Sequence, residues 1–226
     1  MTKKFFITAT GTGVGKTLVT ASLCWQLGGE NVTALKPVIS GYDPDDLAND
    51  SAQILISCGR EPTAAEQACI SPWRYSAPLA PNMAAAREGN PVDFEQLITF
   101  CTTNRQPPTT LIEGVGGIMS PITDQHTVLD WMTALHWPVI LVAGSYLGAI
   151  SHTLSAVAAL QAKTLAIHAL IISESEGSGV SLEETAATVE RFLPDFPIVK
   201  IPRLGTTESA WKETPSISWL CQDHPN

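Results

Sequence analysis

The sequence predicts an α/β fold, a doubly wound and mostly parallel sheet flanked by helices. Apolar runs of strand length alternate along the chain with amphipathic stretches of helix length. The strand-like runs are continuously apolar, as expected for strands that are buried on both faces. A glycine-rich loop joins the first of them directly to a helix pattern, an order that is typical of phosphate-binding loops.

Six strands and six helices are predicted in alternation. The strands are Phe5–Thr10, Val32–Val38, Thr110–Glu113, Pro138–Ala143, Leu165–Ile172 and Pro197–Ile201. The helices are Lys16–Leu27, Ser51–Cys58, Asp93–Thr103, Val128–Leu135, Ile150–Gln161 and Leu182–Phe192. Two helix starts carry capping patterns, Asp93 with Gln96 and Ser181 with Glu184. The alternation predicts parallel strands that are connected by right-handed helical crossovers.

Two stretches break this rhythm. Residues 59–91, rich in proline, alanine and serine, are expected to form an irregular excursion over one end of the sheet. Residues 205–226 are expected to form a loosely ordered tail. Neither stretch has the pattern of a separate unit, so residues 1–226 are interpreted as a single domain.

Composition excludes several classes of protein. The chain has 226 residues, of which 44% are apolar and 15% charged, so it can bury a sizeable core and is not disordered. Its net charge of −9 comes without a basic cluster, so no nucleic-acid partner is expected. No apolar run is long enough to span a membrane, and no cleavable leader is evident, so a cytoplasmic location without membrane association is expected. The five cysteines lack a Cys-x-x-Cys pair and are expected to be reduced thiols.

The loop 9–17 reads ATGTGVGKT. Its glycines allow backbone N–H groups to converge on a phosphate, and the following helix presents its positive end to that phosphate. Lys16 is expected to neutralise the β- and γ-phosphates, and the Thr17 hydroxyl to bind Mg²⁺. The strict phosphate-loop pattern has glycine where Thr10 stands, so a glycine-rich turn with a solvated lysine is the alternative.

Three more charged residues fit a nucleotide enzyme. Glu113 ends an apolar strand and precedes the glycine-rich run 114–117, so it is the best candidate for a second metal ligand. Lys36 ends the second apolar strand, where a lysine is costly unless it meets an anion. Asp50 precedes a helix pattern. Each has an alternative without a role in function. Glu113 can be a solvated glutamate at a strand end, and Lys36 can lie at a strand edge with its ammonium in solvent. Asp50 can be a helix N-cap.

Together these segments resemble the dethiobiotin synthetase family from about residue 4 to residue 204. The segments that carry the resemblance are 13–17 (GVGKT), 35–41 (LKPVISG), 49–52 (NDSA), 78–81 (PLAP), 112–117 (IEGVGG), 138–142 (PVILV), 147–152 (LGAISH) and 201–204 (IPRL). The combination of the second and fifth segments is specific. The resemblance implies a P-loop NTPase-like fold.

The resemblance also implies a cyclo-ligase reaction. ATP drives the ring-closing carboxylation of 7,8-diaminopelargonic acid with CO₂, through a carbamate and a carbamic-phosphoric anhydride, to give dethiobiotin, ADP and phosphate. The implied cofactors are ATP and Mg²⁺. The implied assembly is a homodimer in which the substrate site lies across the interface.

Site residues follow from the same resemblance. The implied catalytic residues are Lys36, Lys16 and Thr12. The implied nucleotide-binding residues are Gly13, Val14, Gly15, Lys16, Thr17, Leu18, Glu113, Gly114, Val115, Gly116, Ser173, Pro202, Arg203 and Leu204. The implied substrate-binding residues are Ser40, Thr12, Gly148, Ala149, Ile150 and Ser151. The implied Mg²⁺ ligands are Thr17, Asp50 and Glu113.

Departures from the family pattern leave alternatives open. Ala9 and Gly11 stand where the family usually has glycine and aspartate, so the rate and the metal preference stay open. Ser173 stands where the family often has asparagine, so the nucleotide preference stays open. Asn82 and Ser151 stand where histidine and asparagine are expected. One alternative is a dimeric ATPase switch of the partitioning type, although Gly11 replaces the lysine that such switches carry five residues before Lys16. The other alternative is a catalytically idle nucleotide-binding relative, which only the altered loop supports.

Overall fold

A computed structural model describes residues 2–103, 108–205 and 209–222 of the chain. The strands are β1 (Lys3–Ala9), β2 (Val32–Leu35), β3 (Val38–Ser40), β4 (Trp73–Tyr75), β5 (Thr109–Glu113), β6 (Val139–Ala143), β7 (Ile167–Ser173) and β8 (Ile198–Ile201). The helices are α1 (Lys16–Leu27), α2 (Asp50–Ser57), α3 (Ala64–Ile70), α4 (Pro81–Glu88), α5 (Phe94–Thr102), α6 (Val128–Leu135), α7 (Ala149–Ala162) and α8 (Leu182–Phe192).

The main sheet has six parallel strands in the order β2-β5-β1-β6-β7-β8. This confirms the predicted α/β class with its parallel sheet and flanking helices. Strand β1 lies between β5 and β6, so the connections leave it toward both sides of the sheet. In open parallel sheets, ligands bind outside the carboxyl ends of the strands at such a reversal. The phosphate loop and Glu113 both lie at this position.

The core lies on both faces of the three central strands. Phe6, Ile112 and Leu141 have no exposed surface. Trp131 of α6 packs edge-on against the Phe6 ring at a centroid distance of 4.9 Å. Because these strands have helices on both sides, their sequences are apolar without alternation, as the sequence predicts.

The predicted capping patterns are confirmed at two helix starts. The Asp93 carboxylate accepts a hydrogen bond of 3.0 Å from the backbone N–H of Gln96. The Ser181 hydroxyl accepts one of 3.2 Å from the backbone N–H of Glu184, whose carboxylate accepts from Ser181 in return. Side-chain oxygens thus satisfy N–H groups that have no partner inside the helix.

The predicted strand Val32–Val38 is two strands rather than one. Strand β2 ends at Leu35, because the next residues turn away from the main sheet. The backbone N–H of Lys36 donates to the carbonyl of Ile70 at 3.1 Å, and Pro37 has no N–H to donate. Strand β3 then pairs in parallel with β4 in a separate two-stranded sheet.

Residues 59–91 are not an irregular excursion, since they contain α3, β4 and α4. The Thr63 hydroxyl caps α3, and Pro81 occupies the first turn of α4. Tyr75 of β4 is fully buried. These elements have three to eight residues each, too few for a clear hydrophobic period to appear in the sequence.

The predicted loose tail, 205–226, is packed where the structure describes it. Short 3₁₀ turns at Ala210–Lys212 and Ser218–Cys221 bury Trp211, Ile217 and Leu220. Residues 206–208 and 223–226 of the predicted tail lie outside the described residues. Within the described ranges, no helix combines the length and the hydropathy that a membrane span requires.

Candidate active site

The phosphate loop connects β1 to α1 and depends on glycine at two positions. Gly13 and Gly15 have φ angles of +73° and +101°, in the left-handed region that favours glycine. No side chain caps the start of α1. The N–H groups of its first turn are therefore available to phosphate oxygens, and the helix dipole favours an anion at this position.

Lys16 is folded back over this loop. Its Nζ donates hydrogen bonds of 2.7 Å to the carbonyl of Gly116 and 3.2 Å to that of Gly11. Burial, with a further contribution from the charge of Lys36, lowers the pKa of Lys16 to about 8. The ammonium thus lies between the two glycine-rich segments, 9–17 and 114–117, where a phosphate group can take the place of the carbonyl oxygens.

Lys36 is the centre of a buried charge cluster. Its Nζ lies 2.7 Å from Glu113 Oε1 and 2.9 Å from Asp50 Oδ2, and it donates to the carbonyl of Gly114 at 2.8 Å. Burial by itself would lower the pKa of Lys36, but the two carboxylates outweigh it and raise that pKa. Burial would likewise raise the pKa of Asp50, but Lys36 outweighs it and lowers that pKa. Lys36 and Asp50 are therefore charged at neutral pH.

The Thr17 hydroxyl joins this cluster. Its Oγ1 lies 2.8 Å from Asp50 Oδ1 and 2.9 Å from Glu113 Oε1. These three side chains come from the first turns of α1 and α2 and from the carboxyl end of β5. The structure therefore brings together the three Mg²⁺ ligands that the sequence analysis names, and it adds Lys36 to the same group.

The donor set fits Mg²⁺. All its ligand atoms are oxygens, and Oε2 of the fully buried Glu113 has no hydrogen-bond partner. A buried carboxylate oxygen without a partner is costly, and a cation would satisfy it. Within 2–103, 108–205 and 209–222, no group of three or more His, Cys, Asp or Glu residues is arranged to hold a metal. Mg²⁺ at a nucleotide site needs only one or two carboxylates together with substrate phosphates and water.

A cavity of about 780 Å³ opens above this cluster. Among the residues named from the sequence, those that line it are Thr12, Gly13, Gly15, Lys16, Thr17, Leu18, Lys36, Ser40, Asp50, Val115 and Gly116. Ser120 and the segment 78–81 also line it, although the sequence analysis gave them no role. The proline spacing in Pro78-Leu-Ala-Pro81 was the available signal for this extended wall.

A second cavity of about 450 Å³ lies on the other side of the phosphate loop. Val14, Ser173, Pro202, Arg203 and Leu204, which the resemblance implies as nucleotide-binding residues, line it. It is also lined by residues that were given no role from the sequence, namely Glu174, Ser175, Glu176, Gly205 and Ala210.

Arg203 of this second cavity is held by two carboxylates. Its guanidinium lies 2.8 Å from Glu176 Oε2, and its backbone N–H donates to Glu174 Oε2 at 2.8 Å. These contacts fix the loop after β8 against the loop after β7.

The start of α7 lies apart from both cavities. Gly148, with a φ of +99°, precedes the helix, and no side chain caps its start. Gly148, Ala149, Ile150 and Ser151 line neither the 780 Å³ nor the 450 Å³ cavity. In one chain the structure therefore brings the phosphate and metal residues together, but it does not bring the start of α7 to them.

The chain is similar to known proteins over nearly its whole length. A family model described as an AAA domain matches residues 3–210. The ATP-dependent dethiobiotin synthetase of Acidiphilium cryptum is 44% identical over 199 residues, which cover 85% of this chain and 89% of that protein. The corresponding enzyme of Caulobacter vibrioides is 43% identical over 213 residues, covering 92% of this chain and 95% of that protein.

Solved structures resemble the fold. The septum site-determining protein MinD of Pyrococcus horikoshii, complexed with Mg-ADP, has a TM-score of 0.56 at 18% identity, over 94% of this chain and 86% of that one. A ParA family ATPase of Chlorobium tepidum has a TM-score of 0.53 at 15% identity, over 94% of this chain and 88% of that one. At these identities the likeness establishes the fold alone.

Proposed function

This chain belongs to the ATP-dependent dethiobiotin synthetases, within the family that the AAA domain model describes, and we propose how its residues perform that reaction. It is a cyclo-ligase of biotin biosynthesis that forms dethiobiotin at the expense of ATP. One observation carries the proposal at the level of residues. Lys16, Lys36 and Asp50 converge on one cavity of about 780 Å³, and the fully buried Glu113 contacts Lys36 at 2.7 Å.

The substrates are 7,8-diaminopelargonic acid and CO₂. One amine adds to CO₂ and loses a proton, which gives a carbamate. A carbamate oxygen then displaces ADP from the γ-phosphate of ATP. The second amine attacks the carbonyl carbon of the resulting anhydride, loses a proton and releases phosphate as the ring closes. No protein nucleophile is needed, so positioning and electrostatic stabilisation carry the catalysis.

Lys36 and Lys16 supply the positive charge that this reaction requires, since a carbamate must approach a triphosphate. The raised pKa of Lys36 keeps it protonated, so it serves as a fixed cation and hydrogen-bond donor. Lys16 exchanges the carbonyls of Gly11 and Gly116 for phosphate oxygens when the nucleotide binds. Both ammonium groups are buried, which strengthens their action on the reacting anions.

The diamine occupies the same cavity beside Ser40 and Thr12. The buried Oγ of Ser40 has no hydrogen-bond partner in the protein, which supports a contact with the substrate. Thr12 is exposed at the mouth of the cavity. A hydroxyl both donates and accepts, so either side chain can bind an amine or a carbamate oxygen.

Thr17, Asp50 and Glu113 would hold Mg²⁺. When bound, the ion would neutralise charge on the β- and γ-phosphate oxygens. Two carboxylates and a hydroxyl are ligands of the kind that Mg²⁺ prefers, and the unpartnered Oε2 of Glu113 supports the assignment.

The nucleotide base occupies the 450 Å³ cavity. Pro202 and Leu204 offer apolar contacts there, while Ser173 and Arg203 offer polar groups. The Ser173 hydroxyl has a single O–H donor on its one oxygen, whereas an amide presents a carbonyl acceptor and an NH₂ donor on separate atoms, so we expect weak discrimination among bases. The glycine-rich segment 114–117 approaches the phosphates from the side of the phosphate loop opposite this cavity.

The protein acts as a homodimer in this proposal. The residues at the start of α7, 148–151, receive the substrate carboxylate that belongs to the partner's site. The uncapped helix start supports this role, because its N–H groups and dipole favour an anion. The cytoplasmic location expected from the sequence stays a prediction.

The experiment that tests the function uses purified protein, MgATP, labelled bicarbonate and 7,8-diaminopelargonic acid. Acid removes CO₂ from a free carbamate but leaves a closed ureido ring intact, so acid-stable label measures ring closure. We expect label that depends on both ATP and the diamine. ATP hydrolysis without incorporation of label would indicate the ATPase switch. The absence of both ATP hydrolysis and label would indicate a catalytically idle relative.

Replacement of Lys36 by alanine tests the mechanism in the same assay. We expect turnover to fall by about 10²–10³-fold, the usual effect of removing one electrostatic donor from a buried site. Lys200→Ala is the matched control, because Lys200 pairs with Glu183 on the surface. Circular dichroism checks that both variants are folded, and near-normal turnover of Lys36→Ala would remove Lys36 from the catalytic residues.

A further inference from the structure

Asp50, a proposed Mg²⁺ ligand, is placed by the backbone of α2 rather than by packing around its side chain. It is the first residue of that helix, and its side chain is 36% exposed. Its carboxylate oxygens lie 2.9 Å from Lys36 Nζ and 2.8 Å from Thr17 Oγ1. Because an aspartate side chain is short, these distances depend on where the first turn of α2 lies.

The residues on either side of Asp50 are buried. The amide of Asn49, which caps α2, donates to the carbonyl of Asp46 at 2.6 Å, and its oxygen accepts from the Ala52 N–H at 2.9 Å. Ser51 has no exposed surface. The first turn is therefore anchored to the preceding loop through Asn49, and the hydroxyl of Ser51 needs a partner of its own, because a buried polar group without one is costly.

Ser71, at the end of α3, is that partner. The Ser51 and Ser71 hydroxyl oxygens lie 2.7 Å apart, and both serines are fully buried. Ser71 is itself fixed, since its N–H donates to the carbonyl of Gln67 at 2.9 Å and its carbonyl accepts from the Arg74 guanidinium. The pair thus joins the first turn of α2 to the end of α3 through a hydrogen bond that is shielded from solvent.

The end of α3 also holds Lys36. The carbonyl of Ile70 accepts from the backbone N–H of Lys36 at 3.1 Å. Two consecutive residues therefore hold the two segments whose side chains meet in the charge cluster, Ile70 the segment after β2 and Ser71 the start of α2. The end of α3 in this way sets the separation of Lys36 from Asp50, although neither Ser51 nor Ser71 lines the 780 Å³ cavity.

We propose that Ser71 is a positioning residue for the metal site, which acts through Ser51 on Asp50. The inference rests on the part of the proposed function in which Asp50, Thr17 and Glu113 hold Mg²⁺. The bond between the two serines keeps the Asp50 carboxylate where it meets the other groups of the cluster. Groups behind the ligands of a metal set its affinity, because they orient those ligands. Without this bond the first turn of α2 shifts, and the affinity for Mg²⁺ falls.

The test measures Mg²⁺ binding to the protein in the presence of ADP, by isothermal titration calorimetry. It compares the wild type with Ser51→Ala, Ser71→Ala and the double variant. We expect the dissociation constant for Mg²⁺ to rise about tenfold in each single variant. The double variant should show the same rise rather than the product of the two, because all three variants lack one and the same hydrogen bond.

Urea unfolding of the same variants separates positioning from stability. Each single variant leaves one hydroxyl buried without a partner, so its unfolding midpoint should fall. The double variant leaves neither hydroxyl, so its midpoint should recover most of that loss, while its affinity for Mg²⁺ should stay low. An affinity that recovers together with the midpoint would overturn the positioning role.

Two further comparisons serve as controls. Ser57→Ala removes another buried hydroxyl of α2, which donates to the carbonyl of Ile54 at 2.8 Å, at the other end of the helix from Asp50. It should keep the wild-type affinity for Mg²⁺. In the Asp50→Asn background, Ser71→Ala should weaken Mg²⁺ binding no further, because the ligand through which Ser71 acts is lost. Wild-type affinity in Ser71→Ala, or an equal loss in Ser57→Ala, would overturn the proposal.

Acid-stable label formed by the wild-type protein tests the proposed function separately. Its absence would overturn the reaction, whereas the Mg²⁺ affinities alone decide the positioning role. A wild-type protein that binds no Mg²⁺ together with ADP would overturn the metal assignment, and this inference with it.

Discussion

At the scale of single residues, the proposed catalytic cavity is bounded by buried charged groups, which are costly in a protein interior unless they are paired. Lys36 is 2% exposed and Glu113 is fully buried, so each depends on the other. Isolated buried charges shift their protonation rather than remain charged. Asp50 and the carbonyl of Gly114 complete the contacts of Lys36, and Thr17 lies 2.9 Å from Glu113 Oε1, whereas Glu113 Oε2 has no partner. Lys36 and Asp50 thus line the cavity before any substrate enters, with Glu113 buried in contact with Lys36.

Glu113→Gln tests the proposed metal site. The amide keeps the shape of the side chain but loses the charge that holds a divalent cation, while Lys36 keeps Asp50 as a partner at 2.9 Å. We expect the Mg²⁺ concentration for half-maximal turnover to rise by at least about tenfold, as when metal-site groups are altered. A titration of turnover against Mg²⁺ measures this. Glu183→Gln, on the surface, is the control, and an unchanged Mg²⁺ curve for Glu113→Gln would contradict the assignment.

The charged residues of the candidate site were easier to predict from the sequence than the uncharged residues that line its cavity. Lys36, Glu113 and Lys16 are unusual in their surroundings, because a charge in an apolar strand or a glycine-rich loop needs a reason. Ser120 and Ala80 are not unusual for their surroundings, and they reach the cavity through the packing of α4 and of the loop after β5. The proline spacing in 78–81 was a local signal for Ala80, whereas no local pattern indicated Ser120.

At the scale of elements, helix caps and one glutamine fix the pieces that surround the site. Thr127 and Asp130 form a complete capping box at the start of α6, the helix that packs Trp131 on β1. Gln26, near the end of α1, binds the C-terminal segment with both ends of its amide. The first device stabilises a helix locally, and the second connects distant parts of the chain.

Thr127→Ala tests the capping box. We expect the free energy of unfolding to fall by about 1 kcal/mol, since the N–H of Asp130 loses its side-chain acceptor. Thr133→Ala, within the same helix, is the control. It should be neutral or slightly stabilising, because alanine has the higher helix propensity. Urea unfolding measures both, and equal losses for the two variants would contradict the capping argument.

The capping box also predicts a dependence on pH. Hydrogen bonds from the Thr127 backbone and hydroxyl lower the pKa of Asp130 below its usual 3.8. A carboxyl group whose pKa is lower in the folded than in the unfolded protein stabilises the folded state at pH values above the unfolded-state pKa. This stability is lost as the pH falls through the folded-state pKa. We therefore expect the stability gap between wild type and Asp130→Asn to shrink below about pH 4. Urea unfolding at neutral and acid pH measures the gap, and a constant gap would contradict this.

Gln26→Ala tests the attachment of the C-terminal segment. The Gln26 amide donates to Pro215 O at 3.0 Å and accepts from Ile217 N at 2.7 Å and from Ser218 N at 3.0 Å. Because its loss leaves backbone groups unsatisfied, we expect a cost of about 1–3 kcal/mol. Near-UV circular dichroism should also report loosening of the adjacent Trp211. Gln161→Ala, exposed on α7, is the control, and a Gln26 variant that matches it would show that the segment is held otherwise.

This attachment explains why residues 205–226 were predicted from the sequence to be loosely ordered. A stretch without a clear hydrophobic period indicates loose structure when it is considered alone. Its order comes from partners far away in the chain, Gln26 on α1 and Gln53 on α2, the latter accepting from the Trp211 indole at 3.2 Å. The break between β2 and β3 has the opposite origin, since Pro37 is a local signal that the apolar run concealed.

At the scale of the whole molecule, the sheet order decides where chemistry is possible. The alternation of strands and helices was sufficient to predict the α/β class and the carboxyl edge as the site. Pattern alone did not reveal that β1 would lie between β5 and β6, and this order brings Glu113 within 2.9 Å of the Thr17 hydroxyl. The start of α7 lies outside the phosphate cavity, so one chain holds the two proposed halves of the substrate site apart.

The proposed assembly follows from this separation and can be tested by mixing two inactive variants. Lys36→Ala damages the phosphate cavity, whereas Ser151→Asp places a carboxylate at the start of α7, where it suits the helix dipole but repels the substrate carboxylate. If each site takes its cavity from one subunit and its α7 start from the other, every mixed dimer contains one intact site. Re-equilibrated equal mixtures would then be about half mixed dimers and show about a quarter of wild-type turnover.

Light scattering on the same samples establishes whether dimers form. A mixture that stays as inactive as its components would mean that both halves of the site belong to one subunit. In that case the start of α7 would have to reach the cavity of its own chain by a movement of the loop at Tyr146. Such a movement would break the hydrogen bonds of that loop, from the Ala149 N–H to the carbonyl of Tyr146 and between Tyr146 Oη and His152 Nδ1, both of 2.9 Å. The separation of the two halves in one chain therefore favours a site that two chains complete.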